Sequence, residues 1–355
     1  MSLYSLARTL MRAALPLSLL GTLLTIAACS DAGSFSPTAP DAIRIPGARL
    51  DSAGIVMPRL TLPNVASALV GAQLFVDPSS SAHVTADAWR TSRPTDAAQM
   101  DKIANEPQAV WFGNWNTDIS AAVSAAMSAA AGAMPVFVAY NIPQRDCGGY
   151  SGGNSTAVGE YRTWIDGFAR GIGAGRAAVI LEPDALAGMD CLSAADQQTR
   201  LALLSYAVRA FTALGGTAVY IDAGNPRWQT PATMAARLAQ AGIAEASGFS
   251  LNISNFYTDA DNIAYGQQLS SLVGNKHFVI DASRNGLGPT PDNQWCNPDG
   301  RALGRRPTTS TGIDRLDAFL WIKTPGESDG TCNGAPAAGT WMPEYALGLA
   351  QRAAY

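Results

Sequence analysis

The chain has 355 residues, 15% of them charged, and a formal net charge of −4. So weak and faintly acidic a balance excludes a nucleic-acid protein, which would present a basic face, and suits a neutral polar partner better than a charged one. The length allows one large domain or two small ones.

Taken in order, the chain opens with Arg8 and Arg12 followed by an apolar run from Ala13 to Ala28. The run is short and lacks a stop-transfer flank, so residues 1–29 read as an export signal of the lipoprotein type. Its end, Thr25-Ile26-Ala27-Ala28-Cys29, resembles a bacterial lipobox, in which Cys29 becomes the lipidated N-terminus. Ordinary cleavage after a small residue is the alternative. Either way an exported protein is expected, secreted or held at the cell envelope, meeting membrane only through a lipid on Cys29. Residues 30–62, rich in Ser, Pro, Ala and Gly, read as a flexible tether, and 63–355 as one catalytic-sized domain expected to be monomeric.

Setting Cys29 aside leaves Cys147, Cys191, Cys296 and Cys332, which allow three connectivities. Two disulfides are the default in an oxidising compartment. Nearest-neighbour pairing would staple one long loop each. No Cys-x-x-Cys spacing occurs and the histidines are His83 and His277, so no metal site is expected.

Beyond the tether, apolar β-favouring runs alternate with helical patterns. Strands are predicted at 109–113, 134–140, 177–181, 217–221, 247–252, 277–281 and 318–322, with a further run at 73–76 left outside the count. Helices are predicted near 118–132, 155–173, 193–214, 231–241 and 259–273. Such alternation implies right-handed crossovers and a parallel sheet. Seven units without a glycine-rich dinucleotide turn favour an α/β barrel over a doubly wound sheet. Residues 282–316 carry no helical pattern and read as a long functional loop.

Acids collect where the strands end. Pro183 stops the strand at Glu182 and places Asp184 one step past it. Asp146 follows Tyr140, Asp222 follows Ile221, Asp281 ends its strand, and Lys323, Glu327 and Asp329 follow Ile322. In a parallel sheet all of these share one rim, where chemistry is done in such folds. A carboxyl beside Ala185 and Leu186 can hold its proton and act as a general acid, against the blander reading of Asp184 as a helix cap. Hydrolysis of an acetal needs one protonated acid and one ionised partner, and the rim can supply both. Calcium is the rival use of clustered acids, but no calcium-loop spacing supports it. Trp111, Trp228 and Trp295 fall on the same rim and suit the apolar faces of sugars. No Gly-x-Ser-x-Gly elbow points to a serine hydrolase.

Six stretches then resemble glycoside hydrolase family 6, the cellobiohydrolases and endo-β-1,4-glucanases, and most resemble its bacterial endoglucanases. They are Tyr140-Asn-Ile-Pro-Gln-Arg-Asp-Cys147, Ile180-Leu-Glu-Pro-Asp184, Tyr220-Ile-Asp-Ala-Gly224, Ile280-Asp-Ala-Ser-Arg-Asn-Gly286, Trp295-Cys-Asn-Pro-Asp-Gly300 and Trp321-Ile-Lys-Thr-Pro-Gly-Glu-Ser-Asp-Gly330. They occur in the family's order over roughly 70–355. The resemblance implies a distorted seven-stranded parallel β/α barrel and hydrolysis with inversion, without a metal or other cofactor. It implies Asp184 as catalytic acid, Asp146 as the aspartate that keeps the acid protonated and helps organise the attacking water, and Asp329 as candidate base, with a water relay near Ser151 as the alternative to that base. Tyr140 would lie under the distorted sugar. Trp111, Lys323 and Glu327 would bind the non-reducing side, Trp228 and Trp295 the reducing side, and Asp222 would be a further acid of the substrate cleft. The family's disulfides match the pairs Cys147–Cys191 and Cys296–Cys332. Short loops at 147–191 and 331–340, and Pro231 where exo-acting members carry a tryptophan, imply an open cleft and internal cleavage of β-1,4-glucan. Exo action and a non-catalytic surface glucan-binding protein are the alternatives.

Overall fold

The computed structural model describes residues 67–355 apart from 151 and 153–156. The export signal, Cys29, the tether and Ser151 lie outside the described residues. The described residues fall within one compact unit, Thr61–Tyr355.

Seven strands, β1 (Val110–Phe112), β2 (Val136–Ala139), β3 (Ala177–Leu181), β4 (Thr217–Asp222), β5 (Gly248–Leu251), β6 (His277–Asp281) and β7 (Leu316–Leu320), form one sheet in sequence order. Every neighbouring pair is parallel. Two helices, α1 (Ser81–Trp89) and α2 (Pro94–Ala104), precede β1, and six more follow: α3 (Ile119–Ala129), α4 (Val158–Ile172), α5 (Ala194–Thr212), α6 (Pro231–Gln240), α7 (Asp259–Leu272) and α8 (Pro343–Gln351). Crossover helices start on side-chain caps, as Asp118, Ser193, Thr230 and Thr258 each accept an amide of the first turn.

Both faces of the curled sheet are apolar, and alternate residues serve different layers. Phe137 and Ala139 of β2 face the helices, with Val179 and Leu181 of β3 and Val219 and Ile221 of β4. Val136, Val138, Ala178, Ile180, Ala218 and Tyr220 face inward and pack with Val279, Ala318 and Leu320. Alanines at 178, 218 and 318 keep that inner layer thin enough for the strands to close round it. The outer layer is anchored by Phe168, fully buried and in edge contact with Phe112, Phe137, Trp164 and Phe211 at centroid distances of 5.2–6.1 Å. Its truncation to alanine would cost about 3–5 kcal/mol. No ladder joins β1 to β7 among the described residues. That seam is crossed instead by Ala109 N donating to Trp321 O (2.9 Å) and Trp111 Nε1 donating to Ile322 O (2.8 Å).

Three local departures from the sequence reading have physical causes. β7 ends at Leu320, not at 322, because the amides of Ile322 and Lys323 leave the ladder to donate to the Asp281 carboxylate (3.3 and 3.0 Å). Helices α1 and α2 were not anticipated; the residues they bury, Ala82 and Ala86 in α1 and Ala97, Met100, Ile103 and Ala104 in α2, are mostly too small to print a strong helical stripe. The 73–76 run contributes a single parallel bridge, Leu74 to Met134. The 282–316 loop carries no helix.

Candidate active site

Parallel order puts the C-terminal ends of all seven strands on one rim, and a cleft of about 960 Å³ runs across it. Asp146, Asp184 and Asp329 line this cleft, together with Tyr140, Lys323 and Glu327. The tryptophans at 111, 228 and 295 line it too. The side chains singled out in the sequence therefore converge, with two exceptions.

The first exception is Asp222. It is 1% exposed and stands behind Asp184 rather than on the cleft wall. Its Oδ2 accepts the amides of Asp184 (2.9 Å) and Gly224 (3.1 Å), and its Oδ1 accepts the Ser250 hydroxyl (3.4 Å). Expected on the substrate side of the cleft, Asp222 lies off its wall, where it holds the backbone of Asp184 and supplies a neighbouring acid. Asp281 differs likewise, being 1% exposed and accepting the amides of Ser254, Ser283, Ile322 and Lys323, so it ties β6 to the ends of β5 and β7.

Asp184 is half-buried in the cleft, with its backbone in the left-handed region at φ 68°. Burial pushes its carboxyl well above the ordinary aspartate value, and the like charges of Asp222 and Asp146 push it in the same direction. Asp222 is itself pushed up to about 7, chiefly by burial, although the amides it accepts oppose the shift. Asp146 reaches the site from a turn with φ 54°, its carboxylate lying over Gly149, where any Cβ would meet Asp146 Oδ2 at 2.5 Å. Tyr140, 5% exposed, keeps its phenol neutral: burial, then Asp184 and Asp146, raise it well above its usual value. A protonatable acid, a second carboxylate and a neutral phenol thus face one space, which is the equipment for protonating a leaving oxygen beside a positioned water.

Asp329 is placed differently from a free base. Arg284, fully buried, grips it through Nη1 to Oδ2 (2.8 Å) and Nη2 to Oδ1 (3.0 Å), and Asn297 N donates to Oδ2 (2.9 Å). Lys323 Nζ stands 3.8 Å from Oδ1 and donates to Ser328 O (3.0 Å). Burial lowers the Lys323 amine, against the pull of Asp329, and raises Glu327, against the pull of Lys323.

The aromatic groups sort by position. Trp111 meets Tyr140 edge to face at 5.3 Å. Trp228 is 42% exposed and leans on backbone at Gly188, where a Cβ would come within 3.3 Å of the indole, and at Gly224, which has φ 69°. Trp295, 47% exposed, sits 6.2 Å from Tyr150. Trp115, left unassigned on sequence, also lines the cleft at 54% exposure, with Arg145 5.6 Å from its ring. Its neighbours in sequence offered no cue, since exposure is a property of the fold. Disulfides join Cys147 to Cys191 and Cys296 to Cys332, each with Cα atoms 6.3 Å apart, so both anchor loops that border the cleft.

Residues 69–353 match the sequence profile described as Glycosyl hydrolases family 6. The chain is 48% identical over 284 residues to Endoglucanase A of Cellulomonas fimi, covering 79% of this chain and 61% of that protein. It thus spans about three-fifths of that relative's length. It is 46% identical to Endoglucanase 1 of Streptomyces halstedii, covering 77% of this chain and 86% of that one. Its fold superposes with a TM-score of 0.77 on the endoglucanase Cel6 from Mycobacterium tuberculosis in complex with a methyl-cellobiosyl-thio-cellobioside, at 47% identity, covering 81% of this chain and 99% of that one. With the parallel curled barrel and the acid-lined rim, these likenesses place the chain: it belongs to glycosyl hydrolase family 6.

Proposed function

We propose that this chain is an inverting endo-β-1,4-glucanase, cutting internal bonds of cellulose or a related β-glucan. The observation that carries the reading is Asp184: a cleft-facing carboxyl flanked by Asp222 and Asp146, in surroundings that favour its protonated form. Asp184 would give its proton to the glycosidic oxygen as the bond to the anomeric carbon breaks, and water would attack that carbon from the opposite face. The proton lost by the water would pass to Asp146 or outward through solvent. Asp329 is a poor acceptor for it, because both its oxygens are committed to Arg284 and Asn297. Its charge instead holds the loop that presents Lys323 and Glu327.

Internal cleavage is supported by the exposure of Trp115, Tyr150, Trp228 and Trp295 along the cleft, which a roofed tunnel would cover. The named endoglucanase relatives point the same way. Export, with a lipid on Cys29, is the reading that the first 29 residues support, and mass spectrometry of membrane-extracted protein tests it.

The test of activity is Asp184→Ala. On soluble cellulose it should lose nearly all turnover while still binding cello-oligosaccharide. On an aryl cellobioside whose leaving group needs no proton it should lose far less. Equal loss on both substrates would remove Asp184 from the acid's role. Wild-type protein that binds glucan but lowers no viscosity and frees no reducing ends would instead indicate a non-catalytic binder.

A further inference from the structure

Behind the cleft lie a buried acid and a buried base that the chemistry above does not use, Glu182 and Arg200. Glu182 is fully buried and Arg200 is 3% exposed. Glu182 directly follows β3 and precedes Pro183-Asp184, in the left-handed region at φ 50°. Its carboxylate points sideways along the rim, not into the cleft. Both its oxygens accept the amide of Asn141 at 3.0 Å, and Oε2 also accepts the amide of Ile142 at 3.0 Å. Those amides begin the turn that carries β2 into Arg145 and Asp146.

Arg200 reaches the same pair of turns from α5. Its Nη2 donates to the carbonyls of Pro143 (2.9 Å) and Gln144 (2.7 Å), and its Nη1 donates to the carbonyl of Ala185 (3.2 Å). The acid thus gathers amide hydrogens and the base gathers carbonyls from two turns, 141–144 and 182–185. The first turn delivers Asp146 and the second delivers Asp184. An apolar pair of equal volume could fill this seam, but it could not satisfy two N–H and three C=O groups that no ladder reaches.

We infer that Glu182 and Arg200 are positioning residues: as a pair they fix the turn bearing Asp146 against the turn bearing Asp184, and so set the relation between the acid and the aspartate that serves it. Neither touches substrate. The inference rests on the family reading of Asp184 and Asp146 given above. It is needed because those turns have non-glycine residues in the left-handed region at Gln144, Asp146, Cys147, Glu182 and Asp184, a conformation that strays unless surrounding groups hold it.

The experiment is steady-state kinetics of Glu182→Gln and Arg200→Lys on soluble cellulose and on a cello-oligosaccharide, with thermal unfolding alongside. Glutamine keeps the volume and one acceptor oxygen but loses the charge and sets an NH₂ group where the second oxygen accepts the Asn141 amide; lysine keeps the charge but loses the fork. Each should lower kcat by about tenfold or more, as an ångström-scale displacement of reacting groups does, with KM within about threefold of wild type. The alkaline limb of kcat/KM should also move to lower pH, because Asp146 no longer stands where it raises Asp184. A merely structural role would lower the unfolding temperature but leave kcat and that limb unmoved well below the transition, and this result in a folded variant would overturn the inference. If Glu182→Gln does not fold, Arg200→Lys decides alone by the same criteria. Wild-type protein inactive on every β-glucan would instead sink the functional reading, an outcome distinct from an active wild type with unaltered variants.

Discussion

Replacing Arg284 by methionine tests the structural reading of Asp329. The guanidinium is fully buried, holds both Asp329 oxygens, donates to Ser254 O (2.7 Å) and lies 4.5 Å from the Phe256 ring centre. Methionine would preserve much of the packing on Phe256 but would leave a buried carboxylate with the Asn297 amide and an amine at 3.8 Å. Breaking one side of a buried pair costs about 3–5 kcal/mol, because the surviving charge keeps its desolvation penalty. For a domain of this size each kcal/mol lowers the midpoint by roughly 2–4 °C, so thermal unfolding should shift by roughly 6–20 °C. Asp329→Leu alone should cost a similar amount, now from a stranded guanidinium. The double variant should be markedly more stable than the sum of the two predicts, with a coupling of about 0.5–3 kcal/mol. Strict additivity, or a shift for Arg284→Met below about 2 °C, would refute the reasoning, since the pair would then be neither desolvated nor mutually dependent.

Other outcomes follow from the same geometry. Burial pushes both Glu182 and Asp222 up to about 7, above their ordinary values. The stability each contributes is therefore fully present below its unfolded pKa and lost as pH rises through about 7. Unfolding midpoints measured from about pH 4 to about pH 8 should fall across that window, and Asp222→Asn should flatten the fall. Activity should likewise be lost as pH rises through the raised pKa of Asp184; Asp222→Asn, by removing a like charge, should bring that limb to lower pH in a kcat/KM profile. Trp228→Ala and Trp295→Ala should each raise KM for cello-oligosaccharides several-fold while changing kcat less, as lost platforms for acceptor sugars do. Removing the Cys147–Cys191 bridge, which closes a separation of 44 residues, should cost about 4 kcal/mol by the chain-entropy relation, read from urea unfolding of a Cys147→Ser/Cys191→Ser variant.

Much of the rim was legible in the chain because strand ends carry punctuation. Pro183 stops β3 and fixes where Asp184 stands, and the apolar runs from β2 to β6 are continuous because those strands are buried on both faces. Convergence of Asp146, Asp184 and Asp329 follows from parallel order alone. What the acids do there does not. Asp184 and Asp281 have the same side chain at the C-terminal ends of two parallel strands, β3 and β6, yet one faces the cleft and the other is spent on four backbone amides. The backbone decides which: Asp184 stands in a left-handed turn past β3 and Asp281 is the last residue of β6, and no residue type records the difference. Glu182 escaped notice for a related reason: a carboxylate one residue before a proline looks like an exposed strand end until its two amide partners, 40 and 41 positions earlier, are seen.

The amino-acid sequence by itself determined the parallel α/β class, the order of seven strands and the rim on which the chemistry-bearing side chains gather, because those depend on local periodicity and on chain stops. Only the tertiary structure decided that Asp222 stands behind Asp184, that Arg284 occupies Asp329 across 45 positions, and that Glu182 and Arg200 lock two turns together. Those outcomes depend on burial and on hydrogen-bond directions between segments far apart in the chain, which exist only once the barrel has closed.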